Sequence, residues 1–164
     1  MVHDDIRVRR VAPQDWAELE RFYAELSVDS RASRFHGASR GISHEQADDF
    51  AAADHQRRDG FVAVVDGRVI GHLLLEPLEP GVEELAVAVD DRFQHHGVGT
   101  LLLAAALASA RLRGVERLVA WVMAANGPMR HLLTSSRHRL SLTWDGLTAR
   151  YELEVAPAIA RPAA

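Results

Sequence analysis

Cysteine is absent from the 164 residues of this chain. Its absence excludes a disulfide framework, a thiol nucleophile and cysteine-ligated zinc or iron–sulfur sites. The adjacent histidines His95 and His96 lack the H-x-x-x-H spacing that places two imidazoles on one face of a zinc-binding helix. No metal site is therefore predicted.

Lysine is absent as well, since all 19 basic residues are arginine. A phosphate-binding G-x-x-x-x-G-K-[ST] loop, a Schiff-base lysine and a protein-kinase lysine are all excluded. The same absence leaves the protein without a side-chain amine that could be acylated.

Long hydrophobic runs and a large net charge are also lacking. No run approaches the ~18 apolar residues of a membrane span, and the opening residues MVHDDIRVRR lack the apolar stretch of a signal peptide. We therefore expect a cytoplasmic protein without a membrane partner. A formal net charge of −4 argues against general attraction to nucleic acid. Hydrophobic residues make up 48% of the chain, which favours a folded core over disorder.

The order of predicted elements indicates one domain with a mixed α/β (α+β) sheet. Asp-Gly pairs at 66–67 and 145–146 predict two hairpins, and the polar segment 27–43 is interpreted as a loop or broken helix. We expect a domain over residues 1–155 and a flexible Ala/Pro-rich tail over 156–164. Helices are predicted to begin near Pro13, Ser43, Val98 and Asn126. The predicted strands are Ile6–Val11, Phe61–Val65, Arg68–Leu75, Glu83–Val89, Arg117–Met123, Leu140–Trp144 and Ala149–Val155.

The most informative segment is 83–100, EELAVAVDDRFQHHGVGT. A buried strand leads through a turn with Gly97 and Gly99 into a helix rich in leucine and alanine. Unpaired amides and the positive dipole end at such a helix start form an anion site, and glycines let the backbone approach a phosphate. A tight turn that binds nothing has the same Gly-x-Gly pattern. A Rossmann fingerprint fits poorly, because Leu102 occupies the third glycine position.

The wider pattern Gln94-x-x-Gly97-x-Gly99, after a V-x-V strand end, resembles the acetyl-CoA pyrophosphate loop of the GNAT N-acetyltransferases. The order of elements is similar over most of the chain, and Asn126-x-x-Met129 resembles the start of the family's next helix. The run from Glu84 through Phe93 to Gln94 is most similar to the bacterial protein-lysine acetyltransferases. The segment Ser33-Arg34-Phe35-His36-Gly37 is loosely similar to the same enzymes. The resemblance implies a central, mostly antiparallel sheet that splays in the middle and is flanked by helices.

The resemblance also implies a cofactor site, with acetyl-CoA as co-substrate. Backbone groups of one strand would pair with the pantetheine arm, the amides of the following loop would hold the pyrophosphate, and Asn126 would contact the cofactor beyond it. Arginine or lysine usually stands where this chain has His96, which would weaken diphosphate binding. Asn126 can equally be a plain helix N-cap. The implied cofactor residues are Val87, Ala88, Val89, Gln94, His95, His96, Gly97, Val98, Gly99, Thr100 and Asn126.

Two adjacent glutamates compete for the role of catalytic base. Acyl transfer needs a neutral amine, and a carboxylate in a partly desolvated groove can remove the proton of an ammonium group. Strand alternation places Glu84 on the face of Ala86 and Ala88, where there is room for substrate, and Glu83 on the face that packs. Alignment with the family also selects Glu84, although a bulge would reverse the phase, and both glutamates can be solvated strand-end carboxylates.

The chain departs from the family pattern at the position of the general acid. Leu133 stands where many members have a tyrosine that protonates the departing thiolate; a water could serve, and the general acid is left unassigned. By family position, the loop that carries Arg31, Arg34 and Arg40 would help to form the acceptor site; plain solvation of these arginines is the alternative. His72 is interpreted as a satisfied sheet residue.

The predicted function is N-acetyl transfer from acetyl-CoA to a primary amine, directly and in a ternary complex. A protein lysine is the expected acceptor. The alternatives are acetylation of a small-molecule amine and a catalytically idle module that binds CoA and regulates a partner. Oligomeric state is left open.

Overall fold

A computed structural model describes residues 6–155 of the chain. The strands are β1 (Arg7–Arg10), β2 (Asp59–Val65), β3 (Arg68–Glu79), β4 (Val82–Val89), β5 (Arg117–Met123), β6 (Leu140–Asp145) and β7 (Thr148–Glu154). The helices are α1 (Trp16–Glu25), α2 (Val28–Phe35), α3 (His44–Ala51), α4 (Val98–Leu112) and α5 (Gly127–Ser135). The predicted tail, 156–164, lies outside the described residues. No helix within 6–155 combines the length and apolar character needed to cross a membrane.

The strands form one seven-stranded sheet in the order β1-β2-β3-β4-β5-β7-β6. Every neighbouring pair is antiparallel except β4 with β5, which is parallel. This pair has only three register partners, from Val82 with Arg117 to Glu84 with Val119. Beyond Glu84 the two strands diverge, which confirms the predicted mixed sheet and its central splay.

Helices cover both faces of the sheet, because successive side chains of β4 and its neighbours point alternately into two hydrophobic cores. Leu85 packs with α4 and with β3, β5 and β7 in one cluster, and Val87 and Val89 lie against that cluster. Ala88 belongs to the other cluster, which α1 and α3 cover. The pairing of β3 with β4 runs without a bulge from Gly71↔Val89 to Pro77↔Glu83. Side chains of β4 therefore alternate regularly between the two faces of the sheet from Glu83 to Val89.

Helix α2 corrects the sequence analysis, which interpreted 27–43 as a loop or broken helix. Ser27 caps this helix, since its side chain accepts a bond from the Ser30 amide at 3.1 Å. Asp91 also holds the helix start, accepting bonds from the Ser27 amide at 2.9 Å and the Ser30 hydroxyl at 2.6 Å. None of its residues is fully buried, and only Val28, Ala32 and Phe35 of its eight residues are apolar, so its hydrophobic pattern is short and weak.

Candidate active site

The start of α4 is built as an anion site. Gly97 is its N-cap, with φ of 82° in the left-handed region, and no side chain caps the helix. The amides of the first helical turn have no intrahelical acceptor and carry the positive end of the helix dipole. No acidic residue stands in that turn. These amides are therefore arranged for an anionic ligand.

The loop before α4 is held by its own side chains. His95 has φ of 61°, and the His96 ring lies 2.7 Å (Nδ1) from the Gln94 carbonyl oxygen. The Gln94 side-chain amide donates to the Val89 carbonyl at 3.3 Å and to the Ser30 hydroxyl at 3.1 Å. The loop is thus fixed to the end of β4 and to α2.

Helix α5 approaches the start of α4 closely. A Cβ on Gly99 would lie 3.3 Å from Leu132 Cδ2, tighter than ordinary packing, so glycine admits the α5 side chain there. Asn126 is the N-cap of α5, with its side-chain oxygen accepting from the Met129 amide at 3.1 Å. The helix-cap interpretation of Asn126 is confirmed, and the cap stands at the edge of the site.

A cavity of about 740 Å³ lies between α2, the end of β4, the loop before α4, and α5. Its wall includes every predicted cofactor residue except His96, and it does not include Glu84. The predicted residues on the wall are Val87, Ala88, Val89, Gln94, His95, Gly97, Val98, Gly99, Thr100 and Asn126. Sequence analysis did not assign to the cofactor the α2 residues Ser27, Asp29, Ser30, Ser33 and Arg34, nor Met129 and Leu132 of α5, which also line the cavity.

The two candidate glutamates have different surroundings. Glu83 is buried at 5% exposure on the α4 side and forms a two-point ion pair with Arg113, one contact being 2.7 Å. Arg113 is also 3.8 Å from the fully buried Asp59. Glu84 is half-buried at the point where β4 and β5 separate. Within residues 6–155 its side chain makes no hydrogen bond or ion pair, so its carboxylate is available.

A buried polar pair lies on the Glu84 side of the sheet. The Tyr23 hydroxyl is 2.8 Å from His72 Nδ1, and His72 is directly opposite Ala88 in the register of β3 and β4. Burial, together with the fields of Arg34 and Arg58, lowers the pKa of His72 to about 3, so the ring is neutral at pH 7. Its Nε2 has no partner within the described chain, so only one ring nitrogen of His72 is satisfied.

The positions of possible general acids follow from the same packing. Leu133, which replaces the family's tyrosine, is buried in the core. Tyr151 is buried at 2% exposure in the α4-side core, and the Tyr23 hydroxyl is occupied by His72. No cluster of three or more His, Cys, Asp or Glu within residues 6–155 is arranged to hold a metal ion.

Comparison with known proteins decides the family. The sequence profile of the acetyltransferase (GNAT) family matches residues 19–137, more than half of the chain. The chain belongs to this family. This GNAT protein is therefore an acetyl-CoA-dependent acetyltransferase, and its amide-rich loop and diverging strands fit that co-substrate.

Solved structures agree with this assignment. The GNAT domain of S. lividans PAT superposes with a TM-score of 0.84 at 26% identity, covering 91% of this chain and 90% of that one. The Salmonella typhimurium protein yncA, solved with its cofactor acetyl-CoA, gives a TM-score of 0.73 at 18% identity over 98% and 99% of the two chains. Ribosomal-protein-alanine N-acetyltransferase from Brucella melitensis gives 0.72 at 20% identity over 90% and 98%. The last two show the fold alone.

Proposed function

We propose that this GNAT protein transfers an acetyl group directly from acetyl-CoA to the side-chain amine of a protein lysine, in a ternary complex. The observation that supports the proposal is that the pairing of β4 with β5 ends at Glu84, whose side chain has no partner within residues 6–155. The likeness to S. lividans PAT, a protein acetyltransferase, supports a protein lysine as acceptor.

The cofactor residues act mainly through their backbone. Beyond Glu84, β4 has no strand partner on the β5 side, so those backbone groups of Val87, Ala88 and Val89 that face this side could pair with a pantetheine arm lying in the opening. The Val89 carbonyl also accepts from the Gln94 side chain. The amides of 95–100 would hold the diphosphate, with Gly97 admitting close approach. Asn126 lies at the far wall of the cavity.

Glu84 is the proposed general base. A lysine ammonium group has a pKa near 10.4, so it must lose a proton before its nitrogen can attack. Glu84 takes that proton directly or through a water, the nitrogen bonds to the acetyl carbon, and the carbon–sulfur bond breaks. A backbone amide of β4 stabilises the negative charge that develops on the thioester oxygen. The departing thiolate takes its proton from water, since Leu133 offers none.

Replacing Glu84 tests this assignment. Glu84→Gln keeps the shape of the side chain and removes the base, so we expect kcat to fall by about 10- to 10⁴-fold while acetyl-CoA affinity persists. Thiol release with lysine peptides gives kcat, and calorimetry gives affinity. Glu76→Gln is the matched control, because Glu76 lies directly opposite Glu84 on β3.

Each outcome separates one part of the proposal from the others. Equal kcat for Glu84→Gln and wild type at neutral pH would refute the base. Thiol release with small amines but with no lysine peptide would exclude the protein acceptor. Binding of acetyl-CoA without turnover on any amine would identify a CoA-binding module instead of an enzyme acting on lysine.

A further inference from the structure

Arg34 occupies a place on α2 between the loop that precedes α4 and the opening of the sheet. Ser30, one helical turn earlier, contacts Gln94 of the loop at 3.1 Å. His36, just past the helix end, lies 2.9 Å from the Trp121 carbonyl oxygen on β5. Because α2 rises about 6 Å per four residues, Arg34 lies beyond the diphosphate end of the cavity and toward its reacting end.

The Arg34 charge has no anionic partner. Its Nε is buried without a hydrogen bond, and its guanidinium carbon lies 4.9 Å from the Phe35 ring and 5.7 Å from the Phe50 ring. Within residues 6–155 no carboxylate lies at ion-pair distance from it. Arg34 acts on Tyr23, partly through a side-chain hydrogen bond, and on His72, and both of these side chains are buried and uncharged at neutral pH. The cavity wall therefore carries the Arg34 guanidinium, whose positive charge no carboxylate within residues 6–155 balances.

Other partly buried arginines of the chain are satisfied internally. Arg31 donates to the backbone carbonyls of Ser39 and Ala24, at 2.9 and 3.1 Å. Arg58 pairs with Asp49 and Glu76, both at 2.7 Å. Arg34 differs from both, because its Nε is buried without a hydrogen bond and no carboxylate within residues 6–155 pairs with it.

The acidic residues on the cavity wall do not serve Arg34 either. Asp91 accepts bonds from Ser27 and Ser30 at the opposite end of α2. Asp29 is exposed, near that same end. Arg34 is partly exposed on the cavity wall and has no carboxylate partner within residues 6–155, so an anionic group of a ligand in the cavity can pair with it.

We propose that Arg34 binds a carboxylate that one substrate carries into the cavity. The planar guanidinium offers parallel N–H donors that match a carboxylate in a two-point hydrogen bond. That carboxylate belongs either to the acyl chain, as in a dicarboxylic acyl-CoA, or to the acceptor amine, as in a lysine beside an acidic residue. The inference rests on the proposed function and adds the charge of the substrate that the enzyme prefers.

Two arms of one experiment distinguish the sources. In the first arm, thiol release is compared for acetyl-CoA and succinyl-CoA with one lysine peptide that lacks acidic residues. In the second arm, acetyl-CoA is used with peptide pairs that differ only by aspartate or asparagine beside the lysine. One arm should show a preference for the carboxylate substrate of at least about tenfold in kcat/KM, the factor expected of a hydrogen bond to a charged group.

Variants of the full chain assign that preference to Arg34. Arg34→Gln should reduce it to less than about threefold, while Arg34→Lys keeps part of it. Arg40→Gln removes a nearby exposed charge outside the cavity wall and should keep the preference. Thermal melting of each variant identifies any that fails to fold, and Arg34→Lys then carries the test.

Three results would overturn the inference. Wild type could show no preference in either arm, or Arg34→Gln could retain the preference. The third is that Arg34→Gln weakens binding of CoA, acetyl-CoA and succinyl-CoA equally, which would assign Arg34 to the diphosphate. Binding by calorimetry, with thioesters in one arm and with peptides plus CoA in the other, gives the same comparison without turnover. Failure of the proposed function is thereby distinguished from failure of this inference.

Discussion

Replacing Glu83 by glutamine should destabilise the fold while leaving the chemistry intact. The Glu83 and Arg113 side chains are 7% and 13% exposed, and both guanidinium nitrogens of the pair contact the carboxylate. Glutamine keeps one acceptor oxygen but removes the negative charge. Arg113 would then depend on Asp59, 3.8 Å from its Nε.

The size of the effect follows from burial and from this remaining neighbour. Breaking a buried ion pair by removing one partner costs about 3–5 kcal/mol, because a charge is left uncompensated. Since Asp59 compensates part of the charge and glutamine keeps one hydrogen bond, we expect about 2–3 kcal/mol. For a chain of this length that loss lowers Tm by roughly 4–12 °C.

Urea unfolding and thermal melting measure the stability, and thiol release at 25 °C measures the chemistry. Glu83→Gln should lose stability and keep kcat. Glu84→Gln should keep Tm within about 2 °C and lose kcat, because replacing a side chain that makes no bond costs ~0.5 kcal/mol or less. The opposite pattern, a stable Glu83→Gln with low kcat, would refute the alternation argument and make Glu83 the base.

Two further predictions concern pH and the α4 loop. The pKa of His72 is about 3 in the folded state and near 6.5 in the unfolded state. The neutral ring therefore contributes fully to the free energy of unfolding above pH 6.5, and this contribution is lost as the pH falls toward 3. The urea midpoint should fall between pH 6.5 and 4, and less steeply in His72→Gln; equal slopes would contradict this. Gly97→Ala forces a left-handed alanine at a cost of about 1 kcal/mol and places a methyl group at the diphosphate position, so acetyl-CoA affinity should drop about tenfold. Gly114→Ala carries the same strain, at φ of 76°, and should leave affinity unchanged.

Local features of the fold were predictable because short-range chemistry dictates them. The Asp66-Gly67 pair forms the predicted two-residue turn, with φ of 49° and 77°. Ser43 and Gln46 form the predicted capping box, with bonds of 3.0 and 3.1 Å. Each depends on residues within three positions of one another, so no tertiary contact is needed to specify it.

Helix α2 was not predictable by the same means. Asp91 holds its start from more than 60 residues away, and its contacts with the cavity depend on where β4 and α4 place that loop. That Arg34 lacks a carboxylate partner within residues 6–155 is likewise visible only when the surroundings of the arginines are compared.

The period-two alternation of β4, the glycine turn before α4 and the lack of thiol and lysine chemistry follow from composition and near neighbours, so the residues alone specify them. Tertiary packing pairs Glu83 with Arg113 and leaves the Glu84 side chain without a partner, because the arginine comes from a helix end 30 residues further along the chain. It also decided where β4 and β5 part, since that point depends on how two separate strands pack against different layers.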